Sequence, residues 1–420
     1  MKVELAYGDG RLALDVPERR TTVISPTFRP AIQEPQNAIR NALRSPLNTR
    51  PLKEIVDRGQ KVVISVCDVT RAQPRQVMVQ SILEELDPVI KPTDVTILIA
   101  TGTHRSNTED EIRSMLGDEI VSACRVVNHV ARNEDELVDL GMAGSGVAVK
   151  LNREWISADF RITTGFVEPH FFAGFSGGPK MIAPGLAGID TVLTLHDAAR
   201  IGHPNATWGV IDGNPIHEDV RAIARIIPPD FSMDVVLNSN QEVTGVYAGE
   251  LFTMHAAASR QARLDSMQPV SHPFDMVITS NSGYPLDQNL YQAVKGMSAA
   301  ARVVKNGGII ICASECRDGI PDHGSYAEIL SSQPNPASLI QMIETPGYAE
   351  PDQWQVQIQA KIQMQAQVLV KADHLSREQL QAAHFEAIDD IQSSLDGLNP
   401  GARICVLPEG PQTIPYLPPA

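Results

Sequence analysis

Three histidines and one lysine are the residues of this chain whose spacing could do chemistry. His104 stands in Ala100-Thr-Gly-Thr-His-Arg105, directly behind an apolar run; His170 lies ten residues before Lys180, and His196 lies sixteen after it. Imidazole ionises near pH ~6.5, so histidine suits acid–base work and metal ligation. Any one of the 11 histidines reads as an ordinary surface or core residue. Three of them at a strand end and around an unusual loop read as function. That loop, Thr163 to Gly188 (TTGFVEPHFFAGFSGGPKMIAPGLAG), has glycine at 165, 174, 177, 178, 185 and 188. Glycine lets backbone turn left-handed and approach a ligand closely, and such a loop can aim several N–H groups at a phosphate. It is not a P-loop, because Pro179 precedes Lys180 and Met181 follows it. No GxGxxG dinucleotide fingerprint with a suitable acid is present either. By itself the loop reads equally well as a tight packed turn between lobes.

Two further pairs could bind an anion. Asp68 and Arg71 sit in CDVTRAQPR, after a strand ending at Cys67. Arg71 could grip a carboxylate or phosphate with two parallel bonds, as a lysine could not. Alone, the pair reads as a turn cap and a surface arginine. Gln292 and Lys295, in LYQAVKG, are three apart and share one helical face. They read as a solvated face unless two lobes close over a shared ligand.

Strands are needed to place these groups. Val62–Cys67 and Val95–Ala100 are compact apolar runs that end in polar and small residues, as strands do when they deliver a loop to a site. Val3 to Val16 breaks at Gly8-Asp9-Gly10 and reads as a hairpin. Phe160–Thr164, Met233–Asn238, Phe274–Thr279, Gly307–Cys312 and Arg403–Leu407 are further strand candidates, with a helix over Gln288–Val304 and a linker at His272-Pro273. The Gln-rich stretch Gln353–Gln367 reads as a helix with a polar face. The alternation predicts an α/β protein of two Rossmann-like lobes with the active site in the cleft between them. The expected domains are 1–270, which would bind cofactor and take back 405–420, and 273–402.

Composition narrows the class. The 420 residues exceed one domain, and 43% hydrophobic with 20% charged residues is the balance of a folded globular chain. A net charge of −15 argues against a nucleic-acid partner. No apolar run nears the ~18–20 residues of a membrane helix, and no signal peptide is read, so neither a membrane partner nor export is expected. The five cysteines, Cys67, Cys124, Cys312, Cys316 and Cys405, read as reduced thiols of a cytoplasmic protein. Cys312 and Cys316 lack the partners of a structural zinc site.

DVTRAQP, ATGTHR, EPHFFAGFSGGPKMIAPG, TLHDAAR and YQAVKG stand in the order and spacing of the nickel-dependent lactate racemase family, which the chain resembles over essentially its whole length. The resemblance implies a nickel-pincer nucleotide: a pyridinium-3-thioamide-5-thiocarboxylic acid mononucleotide joined covalently to Lys180. Ni(II) would be held by its ring carbon, two sulfurs and His196, a donor set that suits square-planar nickel. Ser176, Gly177, Gly178, Asp68, Thr70 and Trp354 would surround the cofactor. Arg71, Gln292 and Lys295 would hold the substrate, a 2-hydroxy acid. Racemisation is hard because the α C–H beside a carboxylate is a very weak acid. Removing that hydrogen as a hydride, while the hydroxyl proton leaves to a base, yields a neutral ketone. His104 and His170 would be the two bases, one for each enantiomer. Cofactor-synthesis proteins are implied as partners.

Two rivals stay open. One is racemase or epimerase action on a larger acid, such as malate, 2-hydroxyglutarate, an aryl-lactate or an aldonate. The other is a noncatalytic carrier of the nickel cofactor, against which the presence of both His104 and His170 argues. A nicotinamide dehydrogenase lacks its fingerprint here.

Overall fold

The computed structural model describes residues 1–87, 89–321 and 324–418. The chain divides into two compact units: Met1–Thr27, Asp197–Pro204 and Leu264–Ala420 form the first, Phe28–His196 and Asn205–Arg263 the second. Each is α/β and built on a six-stranded sheet.

In the second unit the strand order is Val243–Gly249, Phe231–Leu237, Phe160–Phe166, Val62–Cys67, Val95–Ala100, Arg125–Asn128. All neighbours are parallel except the edge strand Val243–Gly249. Val62–Cys67 is buried along its whole length, which is why it reads as an unbroken apolar run. Ile64 stands between Ile97 and Ile162 in a core completed by Ile82, Met78, Leu86 and Leu116. The register sets Cys67 opposite Ala100, so the loops that follow start from the same edge of the sheet. A hairpin, Leu137–Ala143 with Val147–Asn152, carries the helix Ile189–Leu195: the Thr191 hydroxyl donates to Ala148 O at 2.7 Å and accepts Lys150 N–H at 2.9 Å.

The first unit's sheet runs Glu386–Ala387, Gln367–Lys371, Val304–Ala313, Phe274–Ser280, Ile404–Leu407, Thr21–Val23, all parallel. Its core joins Met276, Ile278, Ile311 and Val406 to Leu5 and Leu14 of the N-terminal hairpin, Lys2–Tyr7 with Gly10–Asp15. This corrects the expected domain division. The chain end from 405 does not return to the N-terminal lobe: Ile404–Leu407 is an interior strand beside Phe274–Ser280, and the first 27 residues join the same unit. Short apolar strands far apart in sequence find one another only through sheet pairing, which no local pattern records.

The Gln-rich helix Gln353–Gln365 has no solvated polar face. Gln353, Gln355, Gln357 and Gln359 are buried. Glutamine at every second residue advances about 200° per step around a helix, so the amides spread over its whole circumference. They bind carbonyls of other elements: Gln357 donates to Ala198 O at 2.9 Å, Gln359 to Ala383 O at 2.9 Å and Gln365 to Ala301 O at 2.8 Å. No helix among the described residues is long and apolar enough to cross a membrane. All five cysteines are buried and free of disulfides.

A buried acid interrupts the apolar strand Phe231–Leu237. Asp234 Oδ2 accepts Gly178 N–H at 2.7 Å, while Oδ1 is buried without a partner. Burial pushes this carboxyl up to about 7, although the Gly178 N–H works the other way. A folded-state pKa above the ordinary carboxylate value means stability that is present at low pH and lost as pH rises through about 7. Asp234→Asn keeps an acceptor oxygen for Gly178 without the charge. Between about pH 5 and about pH 8 the variant should therefore gain stability relative to wild type, measured as urea midpoints at each pH. Parallel curves would show that Asp234 ionises without penalty.

Candidate active site

The loop after Cys67 is stitched from inside. Arg75, itself buried, wraps it by donating to Cys67 O at 2.7 Å, to Arg71 O at 2.6 Å and to Asp68 O. Gln73 joins its amide oxygen to Cys67 N–H at 2.7 Å and its amide nitrogen to the Thr164 hydroxyl at 2.8 Å. Asn107 ties this loop to the next, accepting Val69 N–H at 2.9 Å, while its own amide meets Asn128 Oδ1 at 2.9 Å. In that frame His104 Nδ1 lies 2.5 Å from Asp68 Oδ2, and Asp68 Oδ1 accepts the Thr70 hydroxyl at 2.7 Å. Burial by itself would raise the Asp68 carboxyl. The hydrogen bond and charge of His104, the charge of Arg71 and the Thr70 hydroxyl outweigh it and bring the group down to about 2. Asp68 and Thr70, expected beside a cofactor, thus engage His104 and each other. Arg71 is half-buried, and among the described residues its guanidinium makes no hydrogen bond or ion pair.

The glycine-rich loop is held from beneath. Gly177 and Gly178 have φ of 67° and 51°, a region that disfavours side chains. A Cβ on Gly177 would stand 2.7 Å from Asp234 Oδ2, and one on Gly178 would stand 2.4 Å from the His255 ring. The Ser176 hydroxyl accepts Glu168 N–H and donates to Phe166 O, both at 2.9 Å, so it closes the loop on itself. His255 Nε2 donates to Ser176 O at 2.9 Å and stacks on His217 at 5.6 Å, which in turn donates to Ala173 O. Burial first, then neighbouring charges that include Lys180, pull His255 down to about 4 and His217 to about 3. These rings stay neutral and act as fixed dipoles.

Lys180 lies on the short turn Gly178–Met181, with its Nζ 5.7 Å from the centre of the Phe172 ring. The same ring meets His170 edge-on at 4.4 Å and His196 edge-on at 5.2 Å. One phenylalanine therefore gathers three of the four residues singled out from sequence. The fourth, His104, connects to them through the backbone: Gly102 N–H donates to Gly185 O at 3.0 Å, and Gly185 N–H to Lys180 O at 3.1 Å.

His196 caps the helix Ile189–Leu195, and its Nδ1 donates to Val192 O at 2.7 Å. That bond leaves the lone pair on Nε2, the arrangement of a metal-ligating histidine. Burial chiefly, then the Lys180 charge, lowers it to about 4, so it is neutral at physiological pH as a ligand must be. Among the described residues no group of three or more His, Cys, Asp or Glu could hold a metal. Nickel at His196 would then take its remaining donors from a bound group rather than from the protein. That fits a cofactor with its own sulfur ligands, tethered at the neighbouring lysine.

His170 sits on the two-residue strand Pro169–His170, opposite Gly174. Its Nδ1 accepts Ala173 N–H at 3.2 Å. Gln292, Lys295 and Trp354 belong to the first unit. Gln292 and Lys295 are half-buried on the helix Leu290–Ala301, started by Asn289, whose side chain accepts Gln292 N–H at 3.0 Å. Trp354 is buried and donates from Nε1 to the Tyr291 hydroxyl at 3.1 Å.

Arg75, Gln73, Asn107, Asp234, His217 and His255 went unread in the sequence. Asp234 alone left a signal, an acid inside the apolar run FSMDVVL. The others carry no pattern, because what they bind lies on other loops.

Models of the lactate racemase N-terminal and C-terminal domains match residues 7–209 and 270–414. The lactate racemase of Thermoanaerobacterium thermosaccharolyticum is 34% identical over 98% of both chains, and that of Lactiplantibacillus plantarum 33% identical over 89% of both. The solved lactate racemase apoprotein of T. thermosaccharolyticum superposes with a TM-score of 0.93 at 33% identity, covering 99% of this chain and 100% of that one. A Thermotoga maritima protein shares the fold at a TM-score of 0.70 and 17% identity, over 91% of this chain and 98% of that one. With both domain models matched and full-length relatives a third identical, the chain belongs to the lactate racemase family of isomerases.

Proposed function

We propose that this protein racemises a short-chain 2-hydroxy acid, lactate or a close analogue, using a nickel-pincer nucleotide carried on Lys180. The observation that carries the reading is the single Phe172 ring that gathers Lys180, His196 and His170. When bound, the nucleotide supplies an electrophilic centre able to take a hydride from the substrate α-carbon. Every other task falls to the chain.

Lys180 anchors the group through its amine, which must give up its charge to be acylated; its half-buried position suits that change better than open solvent. His196 presents a neutral Nε2 to nickel. Gly177 and Gly178 keep the backbone free of side chains beside the tether. Arg71 offers its guanidinium fork to the substrate carboxylate. His104 takes the hydroxyl proton of one enantiomer and His170 that of the other. The loss of that proton lets the carbon shed its hydrogen with both electrons and leaves an uncharged ketone beside the carboxylate. The planar keto acid then presents its other face, takes a hydrogen back at carbon with both electrons, and receives a proton at oxygen from the opposite histidine in its protonated form.

Lys180→Ala should abolish the covalent adduct in the intact mass of protein co-expressed with a cofactor-synthesis system, while the thermal unfolding curve barely moves. An adduct of unchanged mass would overturn the tether. His196→Ala should keep the adduct and lose nickel by elemental analysis; equal nickel content would exclude His196 as a ligand. His104→Ala and His170→Ala should each slow net racemisation by about 10²–10⁴-fold, the usual cost of a positioned base. A variant that racemises at nearly the wild-type rate removes its histidine from the mechanism. Arg71→Lys keeps the charge and loses the fork, so KM should rise by at least about tenfold, the loss of about 1.4 kcal/mol. An unchanged KM would move the carboxylate elsewhere.

A further inference from the structure

We propose that Asp68 is a positioning residue for His104, fixing that ring as a proton acceptor at Nε2 and making the two bases of the site unequal. The inference rests on the racemase reading for its kinetic consequence, but not for its geometry.

Asp68 is closed in on every side. Its side chain is only 4% exposed, whereas that of His104 is 45% exposed. Oδ1 takes both the hydroxyl of Thr70 at 2.7 Å and its N–H at 3.2 Å. Oδ2 faces His104 Nδ1 at 2.5 Å. The backbone beneath is pinned, since Arg75 binds the carbonyls of Cys67, Asp68 and Arg71. The carboxylate therefore cannot swing away, and an ionised carboxylate can only accept. The His104 proton must sit on Nδ1, which leaves the lone pair on Nε2.

His170 is set the other way. Its Nδ1 accepts Ala173 N–H at 3.2 Å and Phe172 N–H at 3.5 Å. The neutral ring then carries its proton on Nε2. A second proton on Nδ1 would face two backbone N–H groups and break both contacts. The two histidines thus enter the cycle in opposite tautomers: His104 ready to accept, His170 obliged to rearrange before it can.

Asp68→Asn tests this cleanly. Thr70 N–H requires an oxygen at its contact, so the amide nitrogen must face His104 and force the proton from Nδ1 to Nε2. The equivalent exchange in serine proteases leaves the geometry intact and costs about 10⁴-fold through the wrong tautomer. The first measurement uses apoprotein labelled with ¹⁵N-histidine, with His104→Gln to assign the signals. Wild type should show Nδ1 protonated and Nε2 bare, and Asp68→Asn the reverse. An unchanged tautomer overturns the proposal. The second uses loaded enzyme, each enantiomer mixed separately, following cofactor absorbance in a single turnover. Asp68→Asn should slow one enantiomer by about 10²–10⁴-fold and leave the other within a few-fold, and Asp68→Glu should restore part of the loss. Equal slowing of both enantiomers, or failure of the Lys180 adduct to form, would make Asp68 a cofactor contact and overturn the proposal. A wild-type enzyme that oxidises neither enantiomer, with the tautomer inverting as expected, supports the hold on His104 and overturns the racemase reading alone.

Discussion

The in-register parallel pairing of Val62–Cys67 with Val95–Ala100 is the constraint on which the site depends. Because Cys67 stands opposite Ala100, the loops bearing Asp68 and His104 leave the sheet side by side. A parallel sheet pairs residues by slanted, evenly spaced bonds that cannot slip by one without exchanging the side chains packed on its two faces. Ile64, Ile97 and Ile162 lock that register by filling one core. The short Asp68–His104 contact is thus bought by hydrophobic packing deep in the sheet rather than by the attraction of the pair itself.

Around the glycine-rich loop the structure relies on polar groups held without charge. His255, His217 and His129 are buried, and each is drawn down mainly by burial. They donate to backbone carbonyls at Ser176, Ala173 and Ala187. Asp234 supplies the opposite polarity to Gly178 N–H. A buried polar group without a partner is costly, while a satisfied one specifies a single backbone path. The loop that carries Lys180 gains its shape from these contacts. Its glycines are required by what lies beneath them, Asp234 and His255, as much as by any ligand above.

The Gln-rich helix applies the same principle in the first unit. Its amides bind carbonyls of Tyr291, Ala198, Ala383 and Ala301. Gln357 and Lys361 thereby hold the segment Asp197–Pro204, which follows His196 in the chain. Trp354 fixes Tyr291 on the helix that carries Gln292 and Lys295. A stretch that composition would set aside as repetitive is a buried scaffold.

The sequence by itself determined the strands and the motif residues. Buried parallel strands are continuous apolar runs, so Val62–Cys67, Val95–Ala100 and Phe274–Thr279 are legible locally, and the spacing of His170, Lys180 and His196 is a property of one continuous segment, loop and following helix together. Tertiary structure decided what those residues touch. The place of the chain's two ends in one sheet depends on pairing between segments hundreds of residues apart. That Asp68 faces a histidine 36 residues on is visible only in the fold. Alternating glutamines predict a solvated polar face, and here Gln353, Gln355, Gln357 and Gln359 are all buried against protein. Local pattern fixes backbone conformation and burial, because both follow from near neighbours. Hydrogen-bond partners and tautomers follow from which distant loops the sheet brings to the same edge, and only the folded chain contains that fact.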